Sequence, residues 1–305
     1  REMKNSFLII AFLLWKAQSW SPSILNKSIK YEFNRREILL PLITVSAIAL
    51  TPSVTLAKTE QKLEDGLVSP EKVQTLLNRV PTFTIVDKEG VPYMVVGEDA
   101  KVTGYFFTTF GEAKRILDLA RTSTEKAIRV GKAEAKLKNP GSENEIGPNP
   151  WINARIISVP LDFAVTMASK STAAAYFRVA PAEDDIENAL KIIEKNEIAE
   201  GKVPLFYFED FLLEEDGKKL SPLYFRKSEL LQAWKRINGK LDPPKIVVTE
   251  LFSVLREMVK PGGKDKELKS LVFVAPKESE QKAKEINTAG KTKISFQLGQ
   301  RNLIL

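Results

Sequence analysis

The sequence predicts an α/β (α+β) protein of two pseudo-symmetric lobes from an internal duplication, each a mixed β-sheet with helices packed on it. Three observations carry this reading. Four segments recur in the same order. "NRVPTFTIVD" from Asn78 returns as "GKVPLFYFED" from Gly201, and "GYFFTTFGEAKRIL" from Gly104 returns as "LYFRKSELLQAWKRI" from Leu223. "ARIISVPLDFAVTMASK" from Ala154 returns as "PKIVVTELFSVLREMVK" from Pro244, and "YFRVAPAEDDIENALKII" from Tyr176 as "LVFVAPKESEQKAKEI" from Leu271. Short β-branched and aromatic runs such as "FTIV", "YFF", "RIISV" and "KIVV" suit strands. The spacing then turns helical: Ala113, Ile116, Leu117 and Ala120 share a face, as do Leu230, Trp234 and Ile237, and Leu251, Val254, Leu255 and Met258.

Residues 1–57 read as a targeting presequence in three parts. "KNSFLIIAFLLWKAQSW" has a basic start at Lys4 and an apolar stretch from Phe7 to Trp15, the shape of a signal peptide. "SWSPSILNKSIKYEFN" is rich in Ser, Lys and Asn, as transit peptides are. The pair resembles the bipartite presequences of algae with secondary plastids, with Trp20 in the aromatic position of the cleavage motif. In "NRREILLPLITVSAIALTPSVTLA", Arg35-Arg36, the apolar Ile38–Leu50 and the small-residue end at Ala57 resemble a twin-arginine signal. An uncleaved anchor is the alternative, but the apolar run is only 13 residues and contains Pro41. The mature chain is expected to start near Lys58.

The first lobe spans 58–182. Ser69-Pro70 marks a helix start, Pro81 and "DKEGVP" punctuate the first strand pair, and an inserted helix and loop fill "RTSTEKAIRVGKAEAKLKNPGSENEIGPNP", which has no counterpart in the second half. The second lobe spans 183–305. Its opening helix runs over Asp184–Lys195, "EEDGKKL" is a hairpin turn, and Lys260–Lys269 a solvated loop. The strand-like "KISFQL" from Lys293 is expected to return to a sheet edge.

Composition removes several chemistries. The chain has no Cys and no His, so disulfides, imidazole or thiolate metal sites, Cys nucleophiles and Ser-His-Asp triads are excluded. The net charge is +7, but the first 57 residues hold seven of 46 Lys/Arg and three of 39 Asp/Glu, leaving +3 for the rest. No phosphate loop, basic stripe with interleaved aromatics or Gly-rich fingerprint points to nucleic acid or to a cofactor. Carboxylates could still serve a glycoside hydrolase, which needs two facing acids in a pocket. Glu183-Asp184-Asp185 instead open a helix, where acids favour the positive dipole end, rather than gather around a hard cation.

The ordered set "VPTFTIVDKEG", "YFFTTFGEAKRIL", "ISVPLDFAVTM", "GKVPLFYFED", "SPLYFRKSELLQAW", "IVVTELFSVLREM" and "LVFVAPKE", from Val80 to Glu278, resembles the Tic-twenty-two-like family of the chloroplast inner-envelope translocon. The resemblance implies a non-enzymatic import factor of the plastid that binds unfolded preproteins between membranes in a chaperone-like way. Translocon components are then partners, peripheral membrane association is allowed, and no cofactor is expected. A twin-arginine signal would direct the chain to the thylakoid lumen instead of the intermembrane space, where the alternative role is a structural or assembly factor docked to a membrane complex. Apolar pockets on the lobes make Phe106, Phe107, Phe206, Phe208 and Phe211 the candidate client-binding residues. Tyr105, Phe110 and Tyr207 lie in the same runs. The competing reading of both runs is a central strand buried on both faces.

Overall fold

Ser69 accepts a hydrogen bond from the Lys72 amide and Pro70 fills the first helical position, which fixes the start of α1 (Pro70–Asn78). The computed structural model describes residues 67–96, 101–171, 175–194, 198–199, 201–263, 265–289, 296–297 and 302–304. The presequence readings, the expected start at Lys58 and most of the "KISFQL" segment lie outside the described residues.

After α1 come β1 (Pro81–Val86), β2 (Tyr93–Val96), β3 (Val102–Phe107), α2 (Phe110–Lys138), β4 (Arg155–Pro160), α3 (Leu161–Ser169) and β5 (Tyr176–Ala180). The same order follows as α4 (Glu183–Ile193), β6 (Pro204–Tyr207), β7 (Leu213–Glu215), β8 (Lys218–Tyr224), α5 (Lys227–Asn238), β9 (Val247–Glu250), α6 (Leu251–Val259) and β10 (Leu271–Val274). Then come α7 (Lys277–Ala289) and β11 (Asn302–Ile304). Pairing repeats too. β1 lies antiparallel between β3 and β4, and β5 runs parallel to β3; β6 lies antiparallel between β8 and β9, and β10 runs parallel to β8. Both sheets are therefore mixed. At the β7–β8 hairpin Glu215 faces Lys218, and Asp216-Gly217 turn with φ of 51° and 71°, the primed geometry that a two-residue loop requires.

The ladders adjust the sequence match between the halves. Phe83 faces Phe107 and Phe206 faces Tyr224, so Phe107 and Tyr224 occupy one place, although the match had set Tyr105 against Tyr224. A shift of two keeps the face of the sheet. The recurring Val-Ala-Pro shifts by one instead: Phe107 pairs with Ala180 and Tyr224 with Val274, so Val179 stands where Phe273 does. What repeats is topology and burial more closely than residue identity.

Alternation sends each strand's residues to two cores. The outer face of the first sheet, with Phe83, Ile85 and Phe107, is covered by Ala113, Ile116, Leu117 and Ala120 of α2 and by Ala283 of α7. The outer face of the second, with Phe206, Phe208 and Tyr224, is covered by Ala189 of α4 and by Leu230 and Ala233 of α5. Both inner faces meet in one shared core. Phe106 and Val179 from the first sheet join Leu205, Leu223 and Phe273 from the second, with Leu77 of α1, Leu161 of α3, and Leu251 and Met258 of α6.

The helices after β5 and β10 change partners. α4 leaves the first sheet and packs on β6 and β9 of the second; α7 leaves the second sheet and packs on α2, β1 and β4 of the first. The boundary at 182/183 divides the sequence, while each half lends a helix to the other in space. The insertion does not form a separate helix: it lengthens α2 to 29 residues against 12 in α5, then turns at Ser142–Glu145 and returns to Trp151.

One core shared by two sheets makes the sheets unfold together. Trp151 reports on the first sheet and Trp234 on the second. In single-Trp chains, Leu205→Ala is expected to cost about 2–5 kcal/mol and to lower the urea midpoint equally at both reporters.

Candidate functional site

The five candidate phenylalanines do not line one groove. Phe106 lies in the shared core, Phe107 under α2, and Phe206, Phe208 and Phe211 between the second sheet and α4 and α5; none is more than 5% exposed. Phe208, Phe211 and Trp234 form a ring cluster with centroids 5.2–6.0 Å apart. Strands covered by helices on both faces give this result, so these side chains hold the fold and offer no surface in this conformation. Tyr105 and Phe110 border the outer core of the first sheet, and Tyr207 borders the shared core.

Phe106 nevertheless floors a second aromatic group that does reach the surface. Half-buried Phe163 on α3 and Phe177 on β5 stand 5.9 and 5.7 Å from it, and Phe296 completes the set at 5.3–6.1 Å from all three. Gly104 makes room for this cluster: a β-carbon there would come 2.8 Å from the Phe177 ring. Phe296 belongs to the C-terminal segment. Its neighbour Gln297 donates its amide proton to the Gly90 carbonyl, and β11 then runs parallel along β2, with Asn302 facing Tyr93 and Ile304 facing Val95. The tail does return to a sheet edge, as the sequence suggested, but the paired strand is Asn302–Ile304 and the sheet is the first.

A polar junction lies where the crossing helices begin. Thr109 caps α2, Glu229 of α5 accepts from the Lys277 amide at the start of α7, and Ser279 donates to the Thr108 carbonyl. Arg115 bridges Glu112 at 2.7 Å and Glu183 at 3.2 Å. Glu183 and Asp184 open α4 as helix-start acids, but Asp185 is buried. Its nearest cation is Arg226, 3.8 Å away, which is an ion contact rather than a hydrogen bond, and Arg226 also stands 3.8 Å from Glu278. Burial lifts the Asp185 carboxyl to about 7, opposed by Arg226 and reinforced by Asp184, Glu229 and Glu112. The junction can hold a proton near neutral pH. Among the described residues no cluster of three or more acids has the arrangement of a metal site. A shallow concavity of about 490 Å³ lined by Lys277, Glu280, Gln281, Lys284, Glu285 and Thr288 is the charged outer face of α7, and its mixed charges give no apolar grip.

Two outcomes follow. Gly104→Ala pushes the Phe177 ring and is expected to cost about 1–3 kcal/mol, read by urea denaturation. Asp185 has a folded pKa above its unfolded one, so between roughly pH 4 and 7 the native state binds the extra proton and stability falls as pH rises. Asp185→Asn should therefore gain stability relative to the parent as pH rises through that window and level off above it, read as the difference between their denaturation midpoints.

Comparison with known proteins matches a family model, described as the Tic22-like family, to residues 40–285. The match starts inside the segment read as twin-arginine-like and ends in α7, so Phe296 and β11 fall outside it. The fold is similar to that of Tic22 from Plasmodium falciparum, with a TM-score of 0.50 and 19% identity over 72% of this chain and 99% of that one. Anabaena Tic22, described as a protein-transport protein, gives a TM-score of 0.48 and 17% identity over 72% and 97%. No curated protein matches the chain.

Proposed function

The chain belongs to the Tic22-like family, and from that premise we propose that it is a non-enzymatic protein-transport factor which binds unfolded preproteins in transit between plastid membranes. In this reading it hands clients between translocon components in the intermembrane space. The observation that carries the client-binding part is the tail. Beyond the family match, the strand Asn302–Ile304 lies on the β2 edge and Phe296 stands against Phe106, Phe163 and Phe177. Strand addition recognises main chain whatever the side chains, and an aromatic cleft supplies non-directional apolar contact. Together they suit a holder of many different unfolded segments. Phe106 is then the floor of the client site, while Phe107, Phe206, Phe208 and Phe211 support it from within.

The test uses the full chain and an unfolded plastid precursor. Binding should saturate, prefer the unfolded over the folded client, and suppress its aggregation. Phe163→Ala with Phe177→Ala should weaken it by about tenfold, as the loss of one to two aromatic contacts implies, and a chain ending at Ala289 should bind several-fold more tightly. Client binding indifferent to both changes would contradict this site, and no binding at any salt concentration would contradict the function.

A further inference from the structure

The distal half of α2 has no counterpart in the second half and no structural duty in the core. The last buried residue of α2 is Thr124, and the helix continues to Lys138. At 1.5 Å per residue that is roughly 20 Å of helix. One side of residues 125–138 rests on the inserted loop, where Ile146 approaches Gly131 and Ser142 donates to the Ala135 carbonyl. The other side is open.

The open side is patterned. Lys126, Val130, Ala133 and Leu137 recur at helical spacing and form one stripe, with Val130 44% and Leu137 86% exposed. Arg129, Lys132 and Lys136 form the stripe beside it, all exposed. Glu125 stands at the body end of that row, and half-buried Glu134 lies on the other flank. Among the described residues, no carboxylate comes within salt-bridge distance of Lys126, Arg129, Lys132, Lys136 or Lys138. Like charges three and four apart oppose helix formation by a few tenths of a kcal/mol per pair. Neither the row of cations nor the bare leucine helps the fold.

We propose that the distal half of α2 docks on an anionic lipid surface, with Val130, Ala133 and Leu137 entering the headgroup boundary and Arg129, Lys132 and Lys136 meeting lipid phosphates. An apolar stripe bordered by cations is the pattern of a helix that lies in a membrane interface. Long basic side chains bury their stems along such a stripe and extend their charges to the phosphates. Nucleic acid would leave Leu137 without a use, and a protein groove would ask for a broader apolar face than one leucine, one valine and one alanine. No helix among the described residues is long and apolar enough to cross a membrane, so the contact is lateral. The proposal is independent of the client site, which is built from the β2 edge, β3, β5 and α3.

The chain has no cysteine, so Leu137→Cys creates a unique position for an environment-sensitive fluorophore. The full chain labelled there is mixed with phosphatidylcholine vesicles, with and without phosphatidylglycerol. The emission should shift to the blue with the anionic vesicles alone, and added salt should reverse the shift. The same chain carrying Arg129→Gln, Lys132→Gln and Lys136→Gln, with its fold checked by circular dichroism, should need roughly a hundredfold more anionic lipid. The label reports position 137 locally, so attachment of the apolar Ile38–Leu50 segment to either vesicle does not imitate the result. A shift that is equal for both vesicles, absent for both, or kept by the triple variant overturns the proposal; absence for both leaves the basic face to an acidic protein.

Discussion

Everything in this fold depends on one apolar core held in common by two sheets. Phe106 and Val179 on one side and Leu205, Leu223 and Phe273 on the other are buried against each other's elements and against α1, α3 and α6. Neither sheet could keep that inner face dry alone, because the opposing apolar surface belongs to the other half. The crossing of α4 and α7 reinforces the dependence: each sheet's outer face is roofed partly by a helix from the other half. Strands buried on both faces must be apolar at consecutive positions, which is why the aromatic runs look like exposed grooves when read from sequence alone.

Much of this order was legible. The four recurring segments gave the topology twice over, and Asp216-Gly217 announced the hairpin through its demand for positive φ. Periodicity put Leu251, Val254, Leu255 and Met258 on one helix face, but could not say that this face meets the core of both sheets, because amphipathic spacing marks a face and not its partner. The same limit explains the five phenylalanines. Local pattern identifies them as apolar, whereas burial is decided by helices far along the chain. Gly104 and Phe177 are clearer still: the glycine reads as an ordinary residue of a strand until the ring from the parallel neighbour β5 is laid over it.

Both proposed contact surfaces lie where the two halves differ. The first half has a helix lengthened beyond its core contacts, and its sheet receives a tail strand that has no counterpart on the second sheet among the described residues. A topologically repeated body gives rigid support to both additions. The partner of β2 and the fourth ring of the aromatic group come from outside the residues matched by the family model. The buried Asp185–Arg226 contact belongs to the second half, near the start of α4, and the ion pair beside it, Arg115 with Glu183, crosses between the halves.

The central claim is that an unfolded client takes the place of the tail on β2. Hydrogen exchange of the full chain, with and without an unfolded preprotein, tests it most directly. The account predicts faster exchange at Asn302–Ile304 on client binding, while Tyr93–Val96 stays protected by the incoming strand. Protection gained elsewhere on the surface, with Asn302–Ile304 unchanged, would contradict it.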